Sequence, residues 1–530
     1  MSDSNLMSEI NRRRTFAIIS HPDAGKTTMT EKLLLYGGAI QMAGSVKAKR
    51  SKKFATSDWM ELEKQRGISV TSSVMKFPYK NHEMNLIDTP GHQDFSEDTY
   101  RTLTAVDSTL MIIDCANGVE AQTKKLYEVC SLRKTPILAF INKMDREGKD
   151  PFELMEEIEN TLGISVTPVT WPIGMGDRFR GVYHRLENKL LLYDKDAERS
   201  RPVPLKNLTL DSPEVVAELG EELAETLQME IELLDGAGDS LDKEKYLKGE
   251  LAPVYFGSAL KTFGIEPLLE GLIDLAPPPL PREAQERSVE PSESKFTGFV
   301  FKIQANMDPS HRDRVAFMRI CSGRFERGMK SHIVRLGKDQ RLGRPTQFMS
   351  QDRSLVDEAF AGDIVGIHDP GVFKIGDTLT QGEKLHFTGV PVFAPEHFAR
   401  VTLKDPLKSK QLNKALDQLS EEGAVQVFRP INNNDQILGV VGVLQFDVVQ
   451  YRIQHEYGVQ VTFARLPYSA ARWIFCDDEV ALDEYVRAQS HLICNDQHDQ
   501  KAILLDDLWR LNFLKDRFPK IEYQSTSEKV

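Results

Sequence analysis

A strand that runs into a glycine-containing loop and then into a helix constrains the fold of this chain most. Thr15 to Ile19 is a short apolar strand pattern, and Met29 to Tyr36 is a helical stretch. The loop between them is typical of a phosphate-binding P-loop, in which Gly25 lets the backbone approach an anion, Lys26 reaches the β- and γ-phosphates and Thr27 supplies a hydroxyl for Mg²⁺. The predicted phosphate-binding residues are Ser20, His21, Pro22, Asp23, Ala24, Gly25, Lys26, Thr27 and Thr28. The usual loop begins with glycine, whereas this one begins with serine.

Two further motifs follow strand patterns in the order that a P-loop α/β domain requires. Met84 to Asp88 ends in Asp88-Thr89-Pro90-Gly91-His92, where the carboxylate can hold the water shell of Mg²⁺ and Gly91 can offer an amide to the γ-phosphate. Pro136 to Ile141 ends in Asn142-Lys143-Met144-Asp145. Asp145 can accept two hydrogen bonds from the N1 and N2 edge of guanine, which adenine cannot give. The motifs together predict GTP or GDP with Mg²⁺ rather than ATP.

These residues resemble the translational GTPases. The specific matches are His92 directly after Asp-Thr-Pro-Gly, Asp23-Ala24 inside the P-loop and Arg66-Gly67-Ile68 before a switch hydroxyl. The resemblance implies that His92 orients the attacking water and that the ribosome helps to bring it into place. It also implies a switch ligand for Mg²⁺, aligned with Ser69 but close to Thr71, and an apolar gate around His92 that maps to Pro22 and Ile68.

A fourth nucleotide motif lies far along the chain and reveals an insertion. Ser258-Ala259, after the strand pattern Pro253 to Phe256, matches the loop whose backbone amides approach the guanine oxygen in this family. It comes 113 residues after Asp145, so we expect an insert of about 90 residues inside the GTPase domain. This predicts a GTPase domain over residues 1–282 with the insert at about 160–250. The arrangement resembles elongation factor G and its close relatives, whereas elongation factor Tu lacks such an insert.

The insert carries most of the acidity of the chain. Residues 151–250 account for −11 of the net charge of −12, so the acidic total does not exclude an RNA partner for the remainder. Residues 211–235 contain nine carboxylates and no Lys or Arg, and their apolar spacing predicts an amphipathic helix. Its acidic face is either a solvated surface or a docking surface for a basic partner. In elongation factor G the corresponding insert meets the ribosomal stalk protein.

Two basic stretches balance the insert. Residues 47–53 hold five cations, and residues 311–344 hold ten Lys or Arg against three acids. Each stretch is either a solvated surface or a surface that faces an RNA backbone.

The second half of the chain predicts two smaller domains. A proline-rich linker, Ala276 to Pro281, precedes short strand patterns that predict a small β-barrel over residues 295–388. From about residue 392 to 530 the pattern becomes α+β, with a terminal helix expected near Leu504 to Phe518. The predicted fold class is therefore multidomain, with a P-loop α/β GTPase domain, a β-barrel and an α+β domain. We expect no room for the two further domains of elongation factor G.

This domain set resembles the class II release factors, and residues 57–68 and 296–309 reinforce the likeness. The resemblance implies a ribosome-stimulated GTPase that helps class I release factors to leave the ribosome after peptide release. The expected partners are ribosomal RNA, the stalk protein and, functionally, class I release factors, without membrane or DNA. Five scattered cysteines without a CxxC pair favour a reducing cytoplasm, and no apolar segment is long enough for a membrane span. Nothing in the sequence requires more than a monomer. The alternatives are a ribosome-associated GTPase resembling elongation factor G and a GTP-gated binding protein without a termination role.

Overall fold

The computed structural model describes residues 3–40, 63, 69–193, 207–210, 212–237, 240–305, 314–343, 345–349, 352–390 and 394–526. The basic run at residues 47–53, the segment Arg66-Gly67 and the gate residue Ile68 lie outside these ranges.

The first domain is an α/β domain with helices on both faces of one sheet. Its strands are β1 (Arg13–Ser20), β2 (Ser73–Tyr79), β3 (His82–Asp88), β4 (Ser108–Asp114), β5 (Ile137–Asn142), β6 (Ser165–Pro168), β7 (Thr170–Ile173), β8 (Gly181–His184), β9 (Lys189–Leu192), β10 (Asn207–Leu208) and β11 (Leu251–Phe256). Its α-helices are α1 (Asp3–Asn11), α2 (Lys26–Tyr36), α3 (Ser96–Leu103), α4 (Ala121–Leu132), α5 (Pro151–Leu162), α6 (Glu214–Leu219), α7 (Glu221–Ala237), α8 (Lys243–Leu247) and α9 (Ile265–Asp274). The main sheet has the order β2-β3-β1-β4-β5-β11-β6.

The centre of the main sheet is buried on both sides, as the apolar run in β1 predicts. Phe16 and Ile18 belong to one core cluster, with α2 and α9. Ala17 and Ile19 belong to the other cluster, with α4 and α5. Because alternate residues of a strand point to opposite faces, one short apolar sequence serves both cores. Only β2 runs antiparallel to its neighbour in this sheet.

The insert forms a small antiparallel sheet, β10-β9-β8-β7, together with α6, α7 and α8. Strand β6 lies within the range predicted for the insert but pairs in parallel with β11 in the main sheet. The single amphipathic helix predicted for residues 211–235 is wrong, because the chain forms two helices that break at Gly220, which has φ 84°. Val215, Leu227 and Ile231 are buried in the core of the GTPase domain. Most of the acidic side chains face outward, whereas Glu230 accepts from Trp171 Nε1 at 2.8 Å.

The second domain is built of β-strands, as the sequence predicts, and these form a half-barrel. The strands from the linker onward are β12 (Arg282–Glu283), β13 (Ser288–Val289), β14 (Thr297–Ala305), β15 (Arg314–Ser322), β16 (Arg324–Glu326), β17 (Lys330–Ile333), β18 (Lys338–Arg341), β19 (Pro345–Met349), β20 (Asp352–Leu355), β21 (Glu358–Phe360), β22 (Ile364–His368) and β23 (Thr378–Thr380). The order β18-β17-β23-β14-β15-β22-β19 curves around one apolar core. Met349 pairs with Met75 of β2, so the sheet continues into the GTPase domain.

Buried ion pairs connect the half-barrel with the GTPase domain. The Asp363 carboxylate lies 2.7 Å from Arg13 Nε and 2.9 Å from Lys76 Nζ. Burial alone would raise the pKa of Asp363, but the charges of Lys76 and Arg13 outweigh it and hold the pKa well below its usual range. A second carboxylate, Asp107, accepts from Arg319 at 2.6 Å. The orientation of the two domains therefore depends on specific buried charges.

The third domain is α+β and is built on one antiparallel sheet. Its strands are β24 (His397–Leu403), β25 (Gln426–Pro430), β26 (Ile437–Val440), β27 (Val461–Leu466), β28 (Ala470–Phe475), β29 (Ile493–Asn495), β30 (Lys501–Leu505) and β31 (Glu522–Gln524). Its α-helices are α10 (Ser409–Glu421), α11 (Leu444–Tyr457), α12 (Glu479–Ala488) and α13 (Leu508–Arg517). The strand order is β27-β24-β26-β25-β29-β30-β28-β31.

The terminal helix begins later than the sequence predicts. Leu504 is a residue of β30, because Lys501–Leu505 pairs with β28 and β29. The side chain of Asp507 then caps α13 by accepting from Arg510 N at 2.8 Å.

Within the described ranges, no helix is both long and apolar enough to cross a bilayer. All five cysteines are free, and four of them are buried. Burial raises the pKa of Cys130 to about 11 and that of Cys321 to about 12. These two thiols are therefore uncharged at neutral pH and unreactive.

Candidate active site

The predicted motifs meet at one edge of the main sheet. The P-loop lies at the end of β1, Asp88 and Asn142 are the last residues of β3 and β5, and Ser258 follows β11. These strands are parallel and lie within one run of the sheet order, so their carboxyl ends open on the same crevice. The predicted residues that the structure places along this edge are Ser20, His21, Pro22, Asp23, Ala24, Gly25, Lys26, Thr27, Thr28, Asp88, Thr89, Pro90, Gly91, His92, Asn142, Lys143, Met144, Asp145, Ser258 and Ala259.

The P-loop ends at a left-handed glycine. Gly25 has φ 100° and is the N-cap of α2, so residues 26–28 form the first turn of that helix. The exposed N–H groups of such a turn favour an anion. Lys26 is 6% exposed, and its ammonium donates to Oδ1 of Asp88. The P-loop also contacts α4, because His21 Nε2 lies 3.1 Å from the carboxylate of Glu120, the N-cap of that helix.

One oxygen of Asp88 is buried and has no hydrogen-bond partner among the described residues. The residue is 2% exposed, and no donor among the described residues reaches its Oδ2. The following residue is fixed, since Thr89 Oγ1 donates to Ile18 O at 2.7 Å. A buried carboxylate oxygen without a donor requires compensation, and water bound to a divalent cation supplies hydrogen-bond donors. The residues present therefore fit Mg²⁺ held through water.

The Asn142 side chain joins the P-loop to the loop of Ser258 and Ala259. Its Nδ2 donates to Ala24 O at 2.8 Å, and its Oδ1 accepts from Ala259 N at 2.8 Å. The side chain is 2% exposed. A Cβ on Gly25 would lie 2.3 Å from Asn142 Nδ2, so glycine is required for this close approach as well as for the positive φ.

The loop after β5 packs against the loop that carries Ser258. Lys143 has φ 70°, and its ammonium lies 2.5 Å from Asp114 Oδ2. Met144 N donates to Gly257 O at 3.1 Å, which holds this loop against the loop of Ser258. Within the described part of the chain, Oδ1 of Asp145 is buried and has no hydrogen-bond partner. A carboxylate oxygen that lacks a hydrogen-bond donor at this position fits the donor edge of guanine.

His92 lies in a short turn after β3. It caps the 3₁₀ turn Gln93–Phe95, and its Nδ1 accepts from Asp94 N at 3.2 Å. With Nδ1 as the acceptor, the neutral ring carries its proton on Nε2. The side chain is 31% exposed. The preceding Gly91 lies against the P-loop, since a Cβ there would be 3.5 Å from Pro22 Cα, so one member of the predicted gate is adjacent to this turn.

The predicted switch segment is held by residues that the sequence did not single out. Glu63 is fully buried and accepts from Val70 N at 2.9 Å and Thr71 N at 3.2 Å. Ser72 donates to Asp98 through both its N and Oγ, each at 2.6 Å.

A lysine of the half-barrel completes this arrangement. Lys302 Nζ donates to Ser72 O at 2.6 Å. Burial lowers the pKa of Lys302, although the Asp98 carboxylate opposes that shift. Nothing in the sequence around Lys302 indicates this contact, because it joins residues 230 positions apart. Asp114 is not among the residues that the sequence predicted for this site. Its carboxylate lies at the end of β4, next to the strand that leads to Lys143, and that pattern is visible in the sequence.

Three family models cover this chain in order. The model described as the elongation factor Tu GTP binding domain matches residues 11–278, which is half of the chain. Elongation factor G domain 2 matches residues 295–382. The C-terminal domain of class II release factor RF3 matches residues 387–515. This chain belongs to the translational GTPases and is of the class II release factor type.

A solved structure supports the same arrangement of domains. A crystal structure of ttk003000868 from Thermus thermophilus matches with a TM-score of 0.70 and 24% sequence identity, over 88% of this chain and 70% of that one. At this identity the likeness establishes the fold alone. The family establishes that the chain is a GTPase, that it binds guanine nucleotides and that it interacts with the ribosome.

Proposed function

We propose that this GTPase acts in translation termination and uses GTP to promote the dissociation and recycling of class I release factors after peptide release. The observation that carries this proposal is the release-factor match at residues 387–515, in one chain with the GTPase and elongation factor G domain 2 matches. The three domains that we propose for this protein are residues 1–282, 295–388 and 392–530.

We propose that the nucleotide occupies the crevice at the carboxyl edge of the main sheet. The phosphates contact residues 20–28 and 88–92, and the base contacts residues 142–145 with Ser258 and Ala259. The unpartnered Oδ1 of Asp145 supports guanine as the base. Thr27, Asp88 through water, and a hydroxyl from Ser69 or Thr71 would hold Mg²⁺, and Mg²⁺ neutralises charge on the phosphates.

His92 is the proposed catalytic residue. Its Nδ1 accepts from the backbone of its own turn, so Nε2 is the ring atom available to orient an attacking water. The exposed position of the ring allows ribosomal RNA to approach it, as the family resemblance implies. His92→Ala should preserve GTP and GDP affinity and abolish ribosome-stimulated turnover.

The surfaces of the chain support two ribosomal contacts. The acidic outer face of α6 and α7 suits a basic surface on the stalk protein, and the exposed cations among residues 314–343 suit ribosomal RNA. A cytoplasmic monomer without a membrane or DNA partner is consistent with this proposal.

The decisive experiment is peptide-release turnover on purified ribosomes with a limiting class I release factor. We expect this protein with GTP to increase the number of turnovers per class I factor, and we expect GDP and His92→Ala to give no increase. Asn413→Ala, an exposed change on α10, is a matched control that should behave as the unchanged protein. Ribosome-stimulated GTP hydrolysis without any gain in release would instead favour a GTPase resembling elongation factor G. GTP binding without ribosomal stimulation would favour a GTP-gated binding protein.

A further inference from the structure

The N-terminus of α11 in the third domain contacts the turn that carries His92. Asp94 is the second residue after His92, and its Oδ2 accepts from Leu444 N at 2.6 Å. Leu444 is the first residue of α11. The partial positive charge at a helix N-terminus strengthens a bond to a carboxylate. Asp94 therefore connects His92, through the backbone bond to Nδ1, with a helix that lies 350 residues away in the sequence.

The contact is so close that it requires a glycine. A Cβ on Gly442 would lie 2.3 Å from both Cα and Cβ of Asp94. Gly442 has no positive φ, so its requirement for glycine arises from this approach and not from its backbone conformation.

An apolar contact accompanies the hydrogen bond. Val70 of the switch segment, Phe95 of the His92 turn and Val448 of α11 form one buried cluster. Leu444 and Tyr451 pack against its edge. One helix of the third domain therefore touches both the switch segment and the His92 turn.

A small, partly open pocket of about 60 Å³ lies beside the contact. Residues of all three domains line it, among them Thr71, Arg101, Lys302, Glu422 and Arg452. Arg101 of α3 also donates to Gly423 O of the third domain at 3.2 Å. A shift of the third domain would therefore act on the His92 turn through Asp94 and the apolar cluster, and on α3 through Arg101.

We propose that Asp94 and Gly442 are positioning residues for His92, so that the third domain sets the geometry in which His92 supports GTP hydrolysis. This inference rests on the proposed catalytic role of His92. Asp94 acts through the turn, and Gly442 acts by allowing α11 to approach it. Displacement of the turn should therefore lower kcat while leaving nucleotide affinity intact.

The test measures GTP hydrolysis by Gly442→Ala, Asp94→Ala and the double variant, with and without ribosomes. We expect Gly442→Ala to lower kcat at least about tenfold, because small displacements of catalytic groups are costly. KM for GTP and the Kd for GDP should change less than about twofold, since neither residue faces the nucleotide. Asn413→Ala is the control, because this exposed side chain of α10 bonds only to Gln436 among the contacts described for it. The double variant should be no slower than the slower single variant, because both changes break one contact.

Asp94→Asn supplies a test by rescue. Its carbonyl oxygen can still accept from Leu444 N, so it should retain much more activity than Asp94→Ala. A Gly442→Ala rate within about twofold of the unchanged protein, or a faster rate, would overturn the proposal. Equal losses of kcat and GDP affinity would overturn it too, since they would indicate general damage to the domain.

His92→Ala is measured in parallel to separate this inference from the proposed function. If His92→Ala loses turnover and Gly442→Ala does not, only the positioning role fails. If His92→Ala is fully active, both the catalytic role and the positioning role fail. If ribosomes do not stimulate the unchanged protein, the termination role fails, while single-turnover hydrolysis without ribosomes still tests the contact.

Discussion

Replacement of Asn142 by alanine should weaken nucleotide binding by loosening two loops from each other. The Asn142 side chain makes two hydrogen bonds of 2.8 Å, to Ala24 O and Ala259 N. Ala24 is 1% exposed and Ala259 is fully buried, so water has little access to the groups left behind. Each buried backbone group without a partner costs about 1–3 kcal/mol.

The expected loss is therefore about 2–6 kcal/mol, and we take about 3 kcal/mol because the vacated space lets the loops relax. Part of this loss lowers the stability of the empty GTPase domain. The rest appears as a weaker Kd, since the nucleotide must then hold the two loops together. If the whole loss of about 3 kcal/mol appeared in binding, the Kd for GDP would rise about 100-fold, because each 1.4 kcal/mol is a factor of ten.

The assay is equilibrium titration with a fluorescent GDP analogue, together with thermal unfolding in the absence of nucleotide. Asn413→Ala is the control, because this exposed side chain bonds only to Gln436 among the contacts described for it. A GDP Kd within about twofold of the control, with an unchanged unfolding temperature, would refute the assignment of Asn142 as the link between the loops.

Four further substitutions have definite expected outcomes. Asp145→Asn should weaken GTP and improve binding of xanthosine triphosphate, which a competition titration measures; an unchanged preference would contradict guanine recognition through Asp145. Asp363→Asn should cost about 3–5 kcal/mol at pH 7, because it leaves two cations buried against a neutral group. The folded protein holds the pKa of Asp363 below its unfolded value of about 3.9, so the ionised carboxylate stabilises the fold at pH values above the unfolded pKa. That stabilisation is lost as the pH falls toward the folded pKa. Denaturant titrations from pH 7 to 3 should therefore show a smaller pH dependence of the free energy of unfolding in the variant. Trp473→Ala should cost about 3–5 kcal/mol and Trp509→Ala less than about 0.5 kcal/mol, because the first is 2% and the second 73% exposed; similar unfolding midpoints would contradict this contrast.

The strands and helices that the sequence predicted best are those with strong local patterns. The strand before the P-loop, the strand ending at Asp88 and the helix after Gly25 are all present with small shifts at their ends. The predictions failed where a local pattern was ambiguous. Leu504 lies in a strand because β28 and β29 pair with it, and a short apolar run does not distinguish a strand from a helix start. The predicted helix of the insert breaks at Gly220, because this glycine has a positive φ although the helical spacing of apolar residues continues on both sides of it.

The sequence by itself determined which residues meet at the carboxyl edge of the main sheet. Four short motifs, each at the end of a strand, predicted sites for phosphate, Mg²⁺ and guanine with a histidine beside them, because parallel strands bring their carboxyl ends to one edge. Only the tertiary structure decided how the rest of the molecule reaches that crevice. The contacts of Lys302 with the switch segment and of Leu444 with Asp94 join residues 230 and 350 positions apart. Such contacts depend on how three folded domains pack, and no local sequence pattern records that packing.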